Sequence, residues 1–265
     1  MLRKLALAAL LAALVGGAGF WLLTAPERLP EAEIAALAPG DATRGERIFW
    51  AAGCSSCHAR PKSQGDQLLE LAGGLALKTD FGTFVAPNIS QHATDGIGGW
   101  SLADLANAMQ RGVSPDGRHY YPAFPYASYA RMKLSDIADL HAFMQTLPSV
   151  AGRAPDSDIG FPFNVTRGIG LWKLLHLSPD PVLALAGAPD EVLAGQYLVE
   201  GPGHCGECHT SRDLSGGIRK AEWLAGAPAA EGDGIVPNIT PEGADAGKWS
   251  QADIAEYLKS GFTPE

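Results

Sequence analysis

Behind Arg3 and Lys4, the nineteen residues from Leu5 to Leu23 carry no charge. At the helical rise of ~1.5 Å per residue this run just covers the hydrocarbon core of a bilayer, so it predicts a membrane anchor over residues 1–24. The positive end stays in the cytoplasm, which puts the remainder of the chain outside it. The rival is a cleaved signal peptide, which has a shorter apolar run and a small-x-small cleavage site. Here Gly19-Phe20-Trp21-Leu22-Leu23 follows the only small-residue cluster, so retention is expected.

Beyond the anchor the apolar positions recur at helical spacing. Asp41 is a candidate N-cap for a helix running to Gly53 that buries Ile48 and Phe49. Ser101 with Asp104, and Ser250 with Asp253, have capping-box spacing with Asp in place of the usual Glu. Ser135 opens a helix in which Ile137, Leu140, Phe143, Met144 and Leu147 recur on one face before Pro148. No alternating run reads as a strand, so an all-α fold is predicted.

These elements come twice. Gly45-Glu46-Arg47-Ile48-Phe49 is answered by Gly195-Gln196-Tyr197-Leu198-Val199, and Ala86-Pro87-Asn88-Ile89-Ser90 by Val236-Pro237-Asn238-Ile239-Thr240. Gly99-Trp100-Ser101 is answered by Lys248-Trp249-Ser250, with fifteen residues from Trp to the next Pro in both copies. The repeat predicts two tandem domains of one fold, residues 40–148 and 190–265. Between them, residues 149–189 are rich in Pro and Gly, and Gly168 to Leu177 reads as a short amphipathic helix, either packed between the domains or lying on a membrane or partner.

Each repeat contains C-x-x-C-H, Cys54 to His58 and Cys205 to His209, and the two motifs use all four cysteines. This is the signature of covalently attached c-type haem. Two thiols a short turn apart bond the two vinyl groups of one porphyrin edge while the adjacent imidazole reaches the iron. A zinc ribbon places its C-x-x-C knuckles some 15–20 residues apart, whereas these start 151 residues apart. The prediction is two covalently bound haem c groups, on Cys54 and Cys57 and on Cys205 and Cys208, with His58 and His209 as proximal iron ligands. Such haem is attached outside the bacterial inner membrane, in agreement with the anchor.

With 20 Lys and Arg against 29 Asp and Glu, the net charge of −9 argues against nucleic acid as a partner, and no basic stripe interleaved with aromatics offsets it. No G-x-G-x-x-G follows a strand, so no nicotinamide or flavin site is expected.

The two haem motifs, the repeated Pro-Asn-Ile loops, the Trp-Ser helix starts and the run Tyr121-Pro122-Ala123-Phe124-Pro125-Tyr126 resemble the membrane-bound cytochrome c subunits of bacterial periplasmic dehydrogenases, those for alcohol, aldehyde, gluconate and sorbitol among them. The resemblance covers nearly all of residues 40–265. It implies an electron-transfer subunit without catalytic residues of its own, in the inner membrane with its haem domains in the periplasm. It also implies a periplasmic dehydrogenase catalytic subunit as donor, and quinone or a terminal oxidase as acceptor. The alternative is a dihaem redox enzyme, peroxidase-like or thiosulfate-oxidising, which needs an open sixth position on one iron.

Family members often read Tyr-Pro-Ala-Met-Pro-Tyr where this chain has Phe124, which removes one candidate sixth ligand. Met109 and Met144 fall within helices as core residues. Met132, in the loop before the Ser135 helix, is the predicted distal ligand of the first haem. Asn88, Asn238, Trp100 and Trp249 recur at matched places and are candidates for the haem surroundings, with loop capping and core packing as the competing roles. His119 reads as a surface loop histidine. The second repeat ends one residue after Pro264, without a counterpart of the Tyr-Pro-Ala-Phe-Pro-Tyr loop, Met132 or the closing helix. The expectation is therefore a fragment of a longer chain, whose second iron has His209 alone unless a residue such as His176 swings in.

Overall fold

The structure is a computed structural model and describes residues 1–229 and 234–264. Helix α1 (Leu2–Leu23) buries none of its residues and has a mean hydropathy of 2.1 over its most apolar stretch. By length and composition it can cross a membrane. It ends at Thr24, which is fully buried against the rest of the chain. A short helix α2 (Glu31–Ala35) and the strap before it lie on the first repeat, where Leu29 N donates to Asn107 Oδ1 at 2.8 Å and Arg28 reaches the carbonyls of Ser114 and Pro115.

Helix α3 (Ala42–Ala51) starts where the sequence predicts, with Asp41 Oδ1 accepting from Arg44 N at 3.0 Å. It ends earlier than predicted, because Gly53 turns left-handed (φ 59) and opens α4 (Cys54–His58), the first haem motif. Next comes a feature that corrects the all-α expectation. Strands β1 (Ala76–Thr79) and β2 (Gly82–Val85) pair antiparallel, Ala76 opposite Val85 and Thr79 opposite Gly82. Four residues are too few to show alternation, and the signal lies instead in Gly82 (φ 129), where a Cβ would fall 2.4 Å from Asp158 O.

Helix α5 (Leu102–Ala106) begins with the predicted capping box of Ser101 and Asp104 and continues as a π turn over Asn107–Arg111. Helix α6 (Tyr126–Tyr129) leads to α7 (Leu134–Met144). The N-cap of α7 is Lys133 rather than the expected Ser135, whose hydroxyl lies near Asp136 and caps nothing. Helices α3 and α7 pack closely because Gly45 admits the α7 backbone: a Cβ there would sit 1.9 Å from Asp139 O. Phe49, Ile137 and Leu140 are fully buried in this seam, each worth about 1.5–3 kcal/mol of transfer free energy. Asp139, buried beside them, accepts two bonds from the Arg44 guanidinium (2.7 and 2.9 Å) and one from Asp41 N (2.7 Å).

Strand β3 (Asp158–Ile159) adds to β2, giving the order β1-β2-β3. Helix α8 (Ile169–His176) then precedes α9 (Asp190–Glu200), α10 (Gly206–His209), the short pair β4 (Ala227–Pro228) and β5 (Ile235–Val236), and α11 (Gln251–Ser260). The capping box of Ser250 and Asp253 opens α11 as predicted. The chain is mostly helical, with short strands that the sequence does not announce. At Gly195, the counterpart of Gly45, nothing lies within 4 Å of where a Cβ would be.

Candidate haem-attachment sites

Cys54, Cys57 and His58 occupy positions i, i+3 and i+4 of one short helix, so all three side chains share a face. Cys205, Cys208 and His209 repeat this on α10 and the residue before it. Each histidine is oriented by the same bond. His58 Nδ1 lies 2.9 Å from Pro87 O, and His209 Nδ1 lies 2.9 Å from Pro237 O. Because a carbonyl oxygen only accepts, Nδ1 carries the proton and Nε2 is left with its lone pair, the form that binds a metal.

Two free thiols and one imidazole on a shared face match the two thioethers and the iron ligand that haem c takes from each motif. All four cysteines are unpaired, and burial pushes the Cys54 thiol up to about 12, so without a bound group it is a neutral thiol free to form a thioether. Among the described residues no cluster of three or more His, Cys, Asp or Glu side chains is arranged to hold a metal ion. The residues present thus fit haem c.

The two motifs are neighbours. His204 Nε2 lies 3.2 Å from Ala52 O, just ahead of the first motif, and its ring packs edge-on against Tyr129 at 5.6 Å. Tyr129 donates its own hydroxyl to the same Ala52 carbonyl at 3.1 Å. Within the second motif, Glu207 accepts from Ser128 Oγ at 2.7 Å and from the Arg212 guanidinium at 2.6 Å. The Cys57 thiol is raised by burial and further by Cys208.

Met132 is buried in the cluster that contains Leu105, Met109, Phe143 and Met144 and against which Cys54, Trp100 and Phe124 pack. Its backbone is pinned, with N donating to Tyr129 O at 2.9 Å and O accepting from Gln110 Nε2 at 2.6 Å. Asn88 spends its side chain on loop closure: Nδ2 donates to Val150 O and Gly152 O, both 2.8 Å, and Oδ1 accepts from Ser90 N. Asn238 Oδ1 similarly accepts from Thr240 N and Oγ1. Trp100 packs on the core edge, and Trp249 packs at a tilt against Tyr257, ring centroids 5.1 Å apart. His176 is engaged elsewhere, its Nε2 2.9 Å from Ser215 Oγ and its ring on Trp172.

His119 is a correction. It is 5% exposed rather than at the surface, with Nε2 2.9 Å from Thr24 O and Nδ1 2.9 Å from Lys173 Nζ. Lys173 also donates to Arg111 O and Gly112 O, and burial pushes its pKa down to about 7. Arg167 completes the arrangement, with Nε donating to Thr24 Oγ1 at 2.9 Å and the guanidinium 4.1 Å over the Trp21 ring. These side chains clasp the end of α1. They lie more than 50 residues from one another in pairs such as His119 and Lys173 or His119 and Thr24, so only the fold reveals them.

Comparison with known proteins agrees with this geometry. The family profile described as cytochrome c matches residues 42–148. A diheme cytochrome c-type protein of Cereibacter sphaeroides is 51% identical over 265 residues, covering 100% of this chain and 88% of its own. The fructose dehydrogenase cytochrome subunit of Gluconobacter japonicus is 34% identical over 83% of this chain. The cytochrome c subunit of a quinone alcohol dehydrogenase of Gluconobacter oxydans is 35% identical over 82%. The chain spans about half the length of these two, 45% and 46%. Two C-x-x-C-H helices with matched His–Pro bonds, on a chain matched along its whole length by a diheme relative, belong to the cytochrome c family, whose members carry covalent haem c and transfer electrons.

Proposed function

We propose that this chain is a dihaem cytochrome c of the bacterial inner membrane, anchored by α1, that relays electrons from the catalytic subunit of a periplasmic dehydrogenase to quinone or a terminal oxidase. Residues 40–148 and 190–265 form its two haem domains. Cys54, Cys57 and His58 hold one group, and Cys205, Cys208 and His209 the other, with Met132 as the distal ligand of the first. The observation that carries this reading is the repeated bond from histidine Nδ1 to a proline carbonyl, which leaves one bare Nε2 on each motif.

Haem c, when bound, supplies a one-electron ferric/ferrous couple. The chain's own residues do the remainder. Pro87 and Pro237 fix the imidazoles, raising their basicity as donors. The buried cluster around Met132, Leu105 and Phe143 excludes water from the first site, and the contact through Ala52, Tyr129 and His204 sets the two motifs side by side for internal electron exchange. The dehydrogenase donor is supported by the relatives that are cytochrome subunits of fructose and alcohol dehydrogenases.

The pyridine haemochrome of the full chain is expected to give two haems, falling to one in Cys57→Ser and in Cys208→Ser. In membranes holding the chain together with a fructose- or alcohol-type periplasmic dehydrogenase, that enzyme's substrate is expected to reduce the haem c bands. A chain with two haems that no dehydrogenase substrate reduces would sink the relay.

A further inference from the structure

Helix α8 is amphipathic in the inverted sense. Its charged residue, Lys173, is 9% exposed and points into the protein, whereas Leu171, Leu174 and Leu175 are 43%, 62% and 77% exposed. Positions i, i+3 and i+4 share one face of a helix, so the three leucines form one exposed apolar stripe, whose Leu175 edge borders a concavity that Trp172, His176, Glu207 and Arg212 also line. Just upstream, Phe161, Phe163 and Val165 are exposed as well, at 83%, 45% and 48%.

What covers this stripe is indicated by where α8 begins. A Cβ on Gly170 would lie 2.6 Å from Thr24 Cβ, so the first turn of α8 is in direct contact with the residue that ends α1. Arg167, two residues before α8, donates to Trp21 O and stacks on the Trp21 ring, and Trp21 is in the last turn of α1. Tryptophan at the end of a membrane-crossing helix sits at headgroup level. The whole of α8 is only about 12 Å long, and the stripe lies in its middle, within about 8 Å of the Thr24 contact along the helix axis. A leucine face that close to the end of the anchor is within reach of the headgroup and acyl boundary, where interfacial helices bury their apolar side by ~5–10 Å.

We propose that α8 and the Phe161–Val165 approach form a second membrane-contacting element, lying in the interface of the same bilayer that α1 crosses, with the lipid surface as the occupant of the Leu171, Leu174 and Leu175 stripe. This rests on the anchor reading above. The clasp of Thr24 by His119, Lys173 and Arg167 then has a purpose beyond packing: it ties the haem-bearing part of the chain to the anchor with the leucine stripe facing the membrane, which fixes how the haem motifs are presented to partners along the surface.

The test uses the full haem-loaded chain in nanodiscs of phosphatidylethanolamine and phosphatidylglycerol. Haem attachment occupies the native cysteines, so Leu171→Cys, Leu174→Cys, Leu175→Cys and Leu11→Cys each give one site for a spin label. Accessibility to oxygen, which concentrates in the bilayer, is compared with accessibility to a water-soluble nickel chelate and calibrated with lipid labels of known depth. Labels on the three α8 positions are expected to show an oxygen-to-nickel ratio several-fold above that of a label on the exposed residue Glu256, via Glu256→Cys. Labels open to nickel overturn the proposal, and so do labels shielded from both reagents, which would mean a protein partner covers the stripe. Leu11→Cys reads the anchor separately. If its label is lost by cleavage while the α8 labels stay in lipid, the anchor reading fails and the surface stands; if it lies deep while the α8 labels are in water, the reverse holds.

Discussion

His58 Nδ1 and the Pro87 carbonyl oxygen, 29 residues apart in sequence, lie at 2.9 Å. The bond fixes the tautomer of the imidazole, with its proton on Nδ1, and places negative carbonyl density behind the ring. A more basic imidazole favours the ferric state. With His58 and His209 as the proposed iron ligands, Pro87 would tune the potential of the first haem and Pro237 that of the second.

Pro87→Gly keeps the carbonyl but frees the loop that aims it. The first haem's potential is expected to rise and the second's to stay unchanged, as read by a spectroelectrochemical titration of the full chain. An equal shift at both haems would break the link.

Gly45 and Gly195 occupy the same place in the two repeats and have opposite surroundings. A Cβ at Gly45 falls 1.9 Å from Asp139 O and 2.9 Å from Phe143 Cβ, so Gly45→Ala must push α3 and α7 apart. The expected cost is ~3 kcal/mol or more, with loss of the packing that the whole first core depends on. At Gly195 no atom lies within 4 Å, and Gly195→Ala is expected to be neutral or to stabilise α9 by up to ~1 kcal/mol through helix propensity. Denaturation of the two variants side by side checks both signs.

Met132→Ala is expected to abolish the weak long-wavelength sulfur-to-iron band and to lower the potential of the first haem, since a thioether ligand raises it. The same change removes a buried side chain, costing about 2–5 kcal/mol. Met109→Leu and Met144→Leu conserve volume and are expected to leave the band in place. Survival of the band in Met132→Ala and its loss in either of the others would move the ligand.

Those features that depend on adjacent residues were legible in the sequence. Asp41, Ser101 and Ser250 cap helices through bonds three residues long, and the C-x-x-C-H spacing sets its own geometry. The β1–β2 pair was not legible because four-residue strands carry no periodic signal, and its third strand, at Asp158 and Ile159, comes from the segment between the repeats. His119 was misread for a different reason. Its partners, Thr24 and Lys173, are 95 and 54 residues away, and a histidine between tyrosines and a charged loop looks exposed until α1 and α8 close over it. Periodicity likewise shows that α8 has two faces without saying which one is buried, and here the lysine is inside.

The His119 clasp predicts an acid limb in the stability of the chain. His119 Nδ1 accepts from the Lys173 ammonium and Nε2–H donates to Thr24 O, so the neutral ring uses both nitrogens. Burial lowers the pKa of His119, and the charges of Lys173 and Arg167 lower it further. The unfolded side chain takes up its proton near ~6.5, before the folded one does. The contribution of the neutral ring is thus fully present above that pH and is lost as pH falls below it toward the folded value, because protonation there favours the unfolded chain. Melting of the full chain in detergent, followed by haem absorbance, is expected to shift to lower temperature as pH drops from 7 to about 5. His119→Gln can still accept from Lys173 and donate to Thr24, yet does not titrate, and is expected to flatten this limb while leaving stability near pH 7 within ~1 kcal/mol of the parent. An unchanged acid limb in the glutamine variant would assign it to another group.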